Sequence, residues 1–258
     1  MSTVNVQNWS EFVEAVAVAG DTVVLPEAER WDMNVIAPEG VTGNIAVNCA
    51  KIIGNGTSIW NGHFYGTFQV SGTQIEDFHI VNFLASGLIQ NSNSPSYDRC
   101  MFSGLLLGEN RLFASGNAAW NRCSVNIESQ STNNSAIGND VFTGTMSYCR
   151  IIYHAPNIDT IRFDGFSNSE FVLYAPQCTG IYVEKLKNCT MRGNLSACTY
   201  VGYYSYKYES LINVINTDDL ADGATLMFTE LIGVTDSQMK DAAYLASIGF
   251  PIGGGDDA

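Results

Sequence analysis

The segment Tyr97-Asp98-Arg99-Cys100-Met101-Phe102 decides the fold, because variants of it recur along the chain. Each copy contains a large apolar residue, two small or polar residues, a Cys or its equivalent, any residue and an apolar residue. The copies occupy residues 75–80, 97–102, 120–125, 146–151, 166–171 and 186–191, and a looser copy occupies residues 208–213. Their fourth positions are separated by 22, 23, 26, 20, 20 and 22 residues, which predicts a structural repeat.

The repeat has the properties of one coil, or rung, of a β-solenoid. Cys100 and Phe102 are two residues apart, so both point from a strand into the same core. A single rung cannot bury its own apolar face, so copies must stack at a spacing of about 4.8 Å. We therefore predict an all-β, right-handed parallel β-helix of about nine rungs, with Cys100, Cys123 and Cys149 aligned inside. A β-sandwich, which also has short regularly spaced strands, is the alternative.

The ends of the chain predict caps on the solenoid. Residues 1–20 are expected to form an N-terminal cap helix that Gly20 ends. Residues 21–216 are expected to form the β-helix, and residues 217–258 a C-terminal helical cap with a flexible acidic tail. The N-terminal helix should bury an apolar stripe of Trp9, Phe12, Val13, Val16 and Ala17. A capping box at 235–238 precedes a helix whose Met239, Ala242, Ala243 and Leu245 should face inward.

Composition restricts the classes of function. The net charge of −14 argues against sequence-independent nucleic-acid binding, which depends on Lys and Arg. No apolar run reaches the ~20 residues that a membrane helix needs, and the N-terminus lacks a secretory signal pattern. We therefore expect a protein made in a cytoplasm, not exported by the Sec route. Seven cysteines without a CxxC pair predict buried free thiols and no metal site.

Three residues are the candidates for catalysis: Asp159, Arg162 and Asp164. If Ile161 points inward, Arg162 and Asp164 share the outer face of a strand. A glycoside hydrolase needs two carboxylates on such a face, and no second acidic pair is visible in neighbouring copies. The alternative is a surface ion pair, which contributes less than about 1 kcal/mol. The histidines show no order that suggests a catalytic triad.

Two surface features are candidates for binding a glycan or a partner. Arg99 and Arg122 occupy corner positions and Arg150 lies nearby, which gives a basic patch that could hold carboxylates or sulfates. The alternative is that corners only need soluble residues. The second feature is aromatic: its members Tyr203, Tyr204 and Tyr206 could contact sugar rings, or could instead fill the last rung.

The repeat, together with the segments NWSEFVEAVAVAGDTVVLP (8–26) and DAAYLASIGFPI (241–252), resembles the right-handed β-helix proteins of bacteriophage tails and virions. More distantly, the chain resembles the pectate-lyase-like superfamily. The resemblance implies a structural or adhesive component of a phage particle, assembled in a bacterial cytoplasm. Other virion proteins, further copies of the chain in a homotrimer, and a host surface glycan are the implied partners.

The same resemblance leaves two alternatives open, a polysaccharide lyase or hydrolase and a bacterial surface adhesin. Pectate lyases of the superfamily carry a calcium-binding aspartate group and a catalytic arginine. That set has no recognisable counterpart here, so a Ca²⁺ site has no support in the sequence and no cofactor is expected. An adhesin would require an export signal.

Overall fold

The computed structural model describes residues 2–37, 40–107, 113–114, 118–130, 144–203, 212–227 and 231–251. These residues form an all-parallel β-solenoid of about nine turns, consistent with a right-handed parallel β-helix. The predicted fold class is therefore confirmed.

Sheet A contains the strands that precede the polar corner of each rung, and eleven of them lie in the described ranges. They are β1 (Thr3–Asn5), β2 (Thr22–Val24), β5 (Lys51–Ile53), β9 (Gln74–Glu76), β12 (Ser96–Asp98), β15 (Ala118–Asn121), β17 (Gly144–Ser147), β19 (Thr160–Ser167), β21 (Gly180–Lys187), β23 (Tyr200–Tyr203) and β25 (Thr225–Leu226). Each strand pairs in parallel with the equivalent strand of the next rung.

Sheet B contains the strands that follow the corner. They are β3 (Arg30–Asp32), β6 (Ser58–Trp60), β7 (His63–Phe64), β10 (His79–Ala85), β13 (Met101–Leu106), β16 (Ser124–Ser129), β18 (Arg150–His154), β20 (Glu170–Tyr174), β22 (Thr190–Asn194), β24 (Asn213–Asn216) and β26 (Leu231–Val234). The sheets extend beyond the predicted limits of 21–216 at both ends, because β1 precedes residue 21 and β25 and β26 follow residue 216.

A third sheet, sheet C, closes the rungs of the N-terminal half. Its strands are β4 (Ile45–Val47), β8 (Phe68–Ser71), β11 (Ile89–Ser92) and β14 (Phe113–Ala114). In the C-terminal half, four-residue turns at 155–158, 175–178 and 195–198 take its place, each closed by an amide-to-carbonyl hydrogen bond of 2.8–3.2 Å. Pro156 and Pro176 occupy the second turn position, where their fixed φ is favourable. This shorter closure explains the 20-residue spacing of the later copies.

The cysteine ladder is present inside the solenoid. Cys100, Cys123 and Cys149 are buried, and the residues that follow them pair as Met101 with Ser124 and Ser124 with Arg150. The alignment predicted for these three thiols is therefore confirmed.

Two positions of the ladder hold polar residues that bond to the preceding rung: Ser169, between Cys149 and Cys189, and Asn213, after Cys189. Ser169 Oγ accepts a hydrogen bond of 3.1 Å from the Cys149 amide, and Asn213 Oδ1 accepts one of 2.9 Å from the Cys189 amide. Because β24 aligns Asn213 with Cys189, the predicted alignment of Leu211 with the ladder is wrong. Leu211 itself lies outside the described residues.

The corners adopt left-handed backbone conformations. The corner residues have φ between 49° and 56°, and they are Asp77, Arg99, Arg122, Tyr148, Asn168 and Asn188. The Arg99 amide donates to the Asn121 carbonyl at 3.0 Å, and the Arg122 amide donates to the Ser147 carbonyl at 3.0 Å. Successive corners are therefore stacked in a column along the solenoid.

Helix α1 (Trp9–Val16) covers the N-terminal end of the core. Asn8 caps it by accepting the Glu11 amide, and Trp9, Phe12 and Val16 are buried. The Phe12 ring stacks on Phe78 with centroids 5.7 Å apart. The prediction for Ala17 is wrong: Ala15 is buried in its place, and Ala17 is exposed just after the helix ends. Helix α2 (Met33–Ile36) is a single turn after β3.

The C-terminal helices are short. A 3-10 turn (Thr217–Asp219) precedes β25, and α3 (Asp236–Met239) and α4 (Ala242–Ser247) follow β26. Thr235 and Gln238 form the predicted capping box. The predicted inward face is wrong at Ala242 and Ala243, which are exposed, while Met239 and Leu245 are half-buried. One or two helical turns are too short to cover the end of the core, and Leu220 and Leu231 are buried there from other elements.

The buried thiols predict an alkaline limit to stability. Burial raises the pKa of Cys49 and of Cys189 from 9.0 to about 11. The neutral thiols therefore contribute fully below pH 9, and this contribution is lost as the pH rises toward 11. We expect the free energy of unfolding to fall by about 2 kcal/mol per thiol over this interval.

Urea unfolding at pH 8, 9, 10 and 11 measures this decline. Tyrosine and lysine also titrate in the interval, so the control is the Cys49→Ala/Cys189→Ala variant, whose decline with pH should be smaller. An identical decline in the variant would contradict the assignment to these thiols.

Candidate functional site

A shallow groove lies on the outer face of sheet B and encloses about 380 Å³. We call it the polar groove, and it is lined by Asn82, Ser103, Gly104, Leu105, Asn126, Glu128 and His154. The lining residues come from β10, β13, β16 and β18, which are neighbours in the sheet. The groove therefore crosses four successive rungs.

Strand alternation points most of the lining side chains outward. In β16, Val125 and Ile127 are buried, so Asn126 and Glu128 face solvent. Register then places Ser103 beside Asn126, and Glu128 beside His154. The polar side chains are thus held in two rows on a hydrogen-bonded sheet.

A β-bulge forms one wall of the groove. The pairing of β10 with β13 shifts register between Ile80 and Phe83, and Asn82 in this interval has a φ of 54°. The Asn82 side chain donates a hydrogen bond to Asn61 of the previous rung, and its amide donates to Ser103 Oγ at 3.4 Å. A bulge redirects a side chain from the regular pleat, and here it redirects Asn82 to the groove edge.

Glycine at position 104 permits the close packing beside the bulge. A Cβ at Gly104 would overlap the backbone of Phe83 in the preceding rung. The small residue therefore lets β13 approach β10 where the register shifts.

The groove continues as an aromatic surface. The His154 ring stacks on Tyr174 with centroids 4.3 Å apart and an interplanar angle of 14°. The lining then offers a hydroxyl, two amides, a carboxylate and an imidazole, next to a half-exposed phenol. Amides both donate and accept hydrogen bonds, while the carboxylate accepts only. Such a surface suits a ligand with many hydroxyl groups and some apolar C–H surface.

The three predicted binding arginines lie in two parts of the fold. Arg99 and Arg122 lie on the stacked corners, and Arg99 forms an ion pair with Asp98. Arg150 lies on the outer face of sheet B, where its Nε is 2.9 Å from Glu170 Oε2. Arg192 binds the other oxygen of Glu170 at 2.8 Å. Arg150 thus belongs to a surface ion-pair network, whereas Arg99 and Arg122 are adjacent.

Of the predicted catalytic residues, Arg162 and Asp164 are in β19 of sheet A and Asp159 directly precedes that strand, so none is on the strands of the polar groove. Asp159 Oδ1 accepts a hydrogen bond of 2.9 Å from Thr179 Oγ1, and its carbonyl accepts one of 2.7 Å from the Thr179 amide. The Asp159 carboxylate therefore bonds to the next rung. Ile161 is buried as predicted, and Arg162 pairs in register with Tyr182. The side chains of Arg162 and Asp164 lie outside the described part of the structure.

The predicted tyrosine platform falls largely outside the described residues. Tyr204, Tyr206 and the side chain of Tyr203 are outside the described residues. Tyr203 is the last residue of β23, and its backbone pairs with Val183. Two tyrosines that the sequence did not single out lie on the outer face of sheet A: the rings of Tyr182 and Tyr200 are 5.4 Å apart. Strand alternation around the buried Ile181 and Val201 was the signal that could have found them.

Over the described ranges, no group of three or more His, Cys, Asp or Glu side chains is placed to hold a metal ion. Each helix in those ranges is also too short or too polar to cross a lipid bilayer. No protein-family model, curated protein or solved structure matches the chain. The structure therefore shows a parallel β-solenoid, and the comparisons add no evidence for a phage or pectate-lyase-like family.

Proposed function

We propose that the protein is a non-enzymatic β-solenoid of a bacteriophage particle, and that its polar groove binds a glycan of the host surface. The observation that carries the proposal is the composition of the groove. Asn82, Ser103, Asn126, Glu128 and His154 converge on the exposed side of a rigid sheet, next to the stacked ring of Tyr174.

Each group in the groove has a role toward a sugar. Asn82 and Asn126 can donate to and accept from ring hydroxyls, and Glu128 can accept from two neighbouring hydroxyls at once. Each ring of the His154–Tyr174 stack has one face that the other ring does not cover, and this face can contact the apolar face of a sugar ring. The proposed site therefore combines polar specificity with apolar contact, as ligand sites generally do.

The supporting strands make the site rigid before a ligand arrives. Asn126 and His154 each lie in the middle or at the end of a strand with a parallel neighbour on both sides. Side chains held in this way lose little conformational freedom on binding, which favours affinity. A solenoid is suited to this role because several rungs share one continuous outer face.

The groove supports binding in preference to glycoside hydrolysis. A hydrolase uses two carboxyl groups separated by about 5 to 9.5 Å. Among the described lining residues Glu128 is the single carboxylate, with Asn126 and His154 as its neighbours. A lone carboxylate cannot serve as both acid and nucleophile or base in one step.

The particle assignment draws support from the thiols. All seven cysteines are free and buried, although stacked thiols on neighbouring rungs are close enough for hydrogen bonds. Reduced cysteines are typical of proteins that fold in a reducing cytoplasm, where phage particles are assembled. Other virion proteins and further copies of the chain are the proposed structural partners.

The Asn126→Ala/His154→Ala variant tests the groove. We expect at least a tenfold loss of affinity for the glycan that the wild-type protein binds best, because lost hydrogen bonds and a lost ring stack each contribute about 1 kcal/mol. An array of bacterial capsular and lipopolysaccharide O-antigen glycans identifies the ligand, and titration calorimetry measures the affinity.

The matched control is Asn5→Ala, which removes an exposed amide from the outer face of sheet A. It should bind as the wild-type protein does, and unchanged circular dichroism should show that all variants are folded. Wild-type affinity in the groove variant, or no glycan binding by the wild-type protein, would refute the proposal. If the wild-type protein released reducing sugar from a glycan and Glu128→Gln abolished this release, the groove would be a hydrolase site and not a binding site.

A further inference from the structure

Three consecutive corner residues form an exposed ridge beside the polar groove. The corner ridge consists of Arg99, Arg122 and Tyr148, which directly precede the cysteines of the internal ladder. Their rungs continue into β13, β16 and β18, the same strands that line the groove. Arg99 is 50% exposed in its side chain, Tyr148 is 47% exposed, and Arg122 is also exposed.

The backbone at these corners is unfavourable for the residues that occupy it. Arg99, Arg122 and Tyr148 have φ of 53°, 53° and 56°, in the left-handed region. An ordinary L-residue there costs about 1–2 kcal/mol, whereas Asn and Asp adopt the region much more readily. Elsewhere in the same column, the chain uses Asp77, Asn168 and Asn188. Three successive rungs therefore carry residues that folding alone does not favour.

The ridge also concentrates positive charge on an acidic chain. The corners of Arg99 and Arg122 are adjacent in the column, so two like charges are stacked about one rung apart. Arg99 is partly compensated by its ion pair with Asp98, and its side chain stays half-exposed. The chain has only 12 Lys and Arg residues for a net charge of −14, yet it places two of them side by side here. Strained residues of this kind occur at functional sites.

We infer that the corner ridge binds the carboxylate or sulfate groups of an acidic polysaccharide whose sugar rings occupy the polar groove. The guanidinium groups of Arg99 and Arg122 bind such anions through paired N–H donors. The exposed ring of Tyr148 offers a surface on which a sugar can stack.

The spacing of the two surfaces is compatible with one ligand. Arg99 precedes Ser103 of the groove by four residues, which span at most about 13 Å because the chain turns at the corner. A short oligosaccharide lying along the strands can therefore reach both the ridge and the groove. The inference rests on the proposed function, and it specifies an acidic glycan.

Replacement of both arginines by asparagine tests whether the arginines bind a ligand or only support the fold. The Arg99→Asn/Arg122→Asn variant should have a higher melting temperature than the wild-type protein, because the backbone strain that Asn relieves outweighs the exposed ion pair of Arg99 with Asp98. Its affinity for polygalacturonate should fall at least tenfold. The decrease of affinity with added NaCl should also be weaker in the variant than in the wild-type protein.

The probes are polygalacturonate, dextran sulfate and neutral dextran, measured by biolayer interferometry at 20 and 150 mM NaCl. Neutral dextran should bind the double variant as it binds the wild-type protein. The matched control is Asn188→Asp, which changes a charge in the same column of corners two rungs beyond Tyr148. This control should leave the affinity for the acidic polymers within about twofold, since exposed charges away from a site contribute little.

Each outcome separates the inference from the proposed function. Wild-type affinity of the double variant for both acidic polymers would overturn the inference and leave the groove proposal standing. A lower melting temperature would overturn the strain argument, and with it the inference. The ridge variant could lose affinity for the acidic polymers while Asn126→Ala/His154→Ala keeps it. This result would support binding at the corner ridge and overturn the proposal that the polar groove binds the glycan. No binding of any polysaccharide by the wild-type protein would overturn both.

Discussion

Replacement of Trp120 by alanine is expected to lower the free energy of unfolding by about 3 to 5 kcal/mol. Trp120 is 1% exposed, and its ring stacks on Tyr97 of the preceding rung at 3.8 Å with an interplanar angle of 2°. It also meets Phe102 edge-on at 6.0 Å. Removal of the indole leaves a cavity between rungs that hydrogen-bonded strands cannot close, so the full penalty is expected.

The control for Trp120→Ala is Trp60→Ala on the outer face of sheet B. Trp60 is half-buried beneath the Arg30 guanidinium, which lies 4.1 Å from its ring centroid. Its loss should cost about 1 kcal/mol or less, as for a surface cation–π contact. Urea unfolding followed by circular dichroism measures both variants. Equal costs at the two positions would contradict the assignment of inside and outside in the solenoid.

Replacement of Gly104 by alanine should damage both stability and the polar groove. The added Cβ would overlap the backbone of Phe83, and backbone in a paired strand cannot move aside as a flexible side chain can. We expect a loss of about 3 kcal/mol, at the upper end of the range for overpacking. The displaced strand would carry Ser103 with it, so the affinity for the proposed glycan ligand should fall as well.

The matched control for Gly104→Ala is Gly20→Ala. Gly20 has a φ of 87°, but no heavy atom lies within 4 Å of a Cβ placed there. Alanine at this position should cost about 1–2 kcal/mol from backbone strain alone and leave glycan binding unchanged. Thermal unfolding and the glycan titration measure both effects. A Gly104→Ala protein with wild-type stability would show that β10 and β13 are farther apart than described.

The solenoid could be predicted from the sequence because its determinants are local and repeated. A buried pair such as Cys100 and Phe102, with a polar corner before it, recurs in each copy at nearly constant spacing. Stacking then follows, because a rung has no other way to bury this face. The predicted alignment was wrong for the last copy, in which the motif is least regular. Asn213 occupies the ladder position there in place of a cysteine, and nothing in its local sequence indicates that alignment.

The polar groove could not be predicted in the same way, because it is assembled from different rungs. Asn82, Asn126 and His154 are separated by more than 20 residues in sequence, and their proximity depends on strand register. The bulge that redirects Asn82 has no clear signature in the sequence. The corner arginines could be recognised from the sequence as a charged pattern. Only the structure shows that Arg99 has a left-handed backbone conformation, which is unfavourable for arginine.

The closing turns at 155–158, 175–178 and 195–198 repeat at an exact interval of 20 residues, and the flanking strands keep one register across them. A tandem duplication of sixty nucleotides in this region would therefore add one complete coil and leave the two chain ends chemically unchanged. Each such event would lengthen the rod by about 4.8 Å. A solenoid of this kind can thus change its length by copy number alone, while the rungs that form the polar groove stay unchanged.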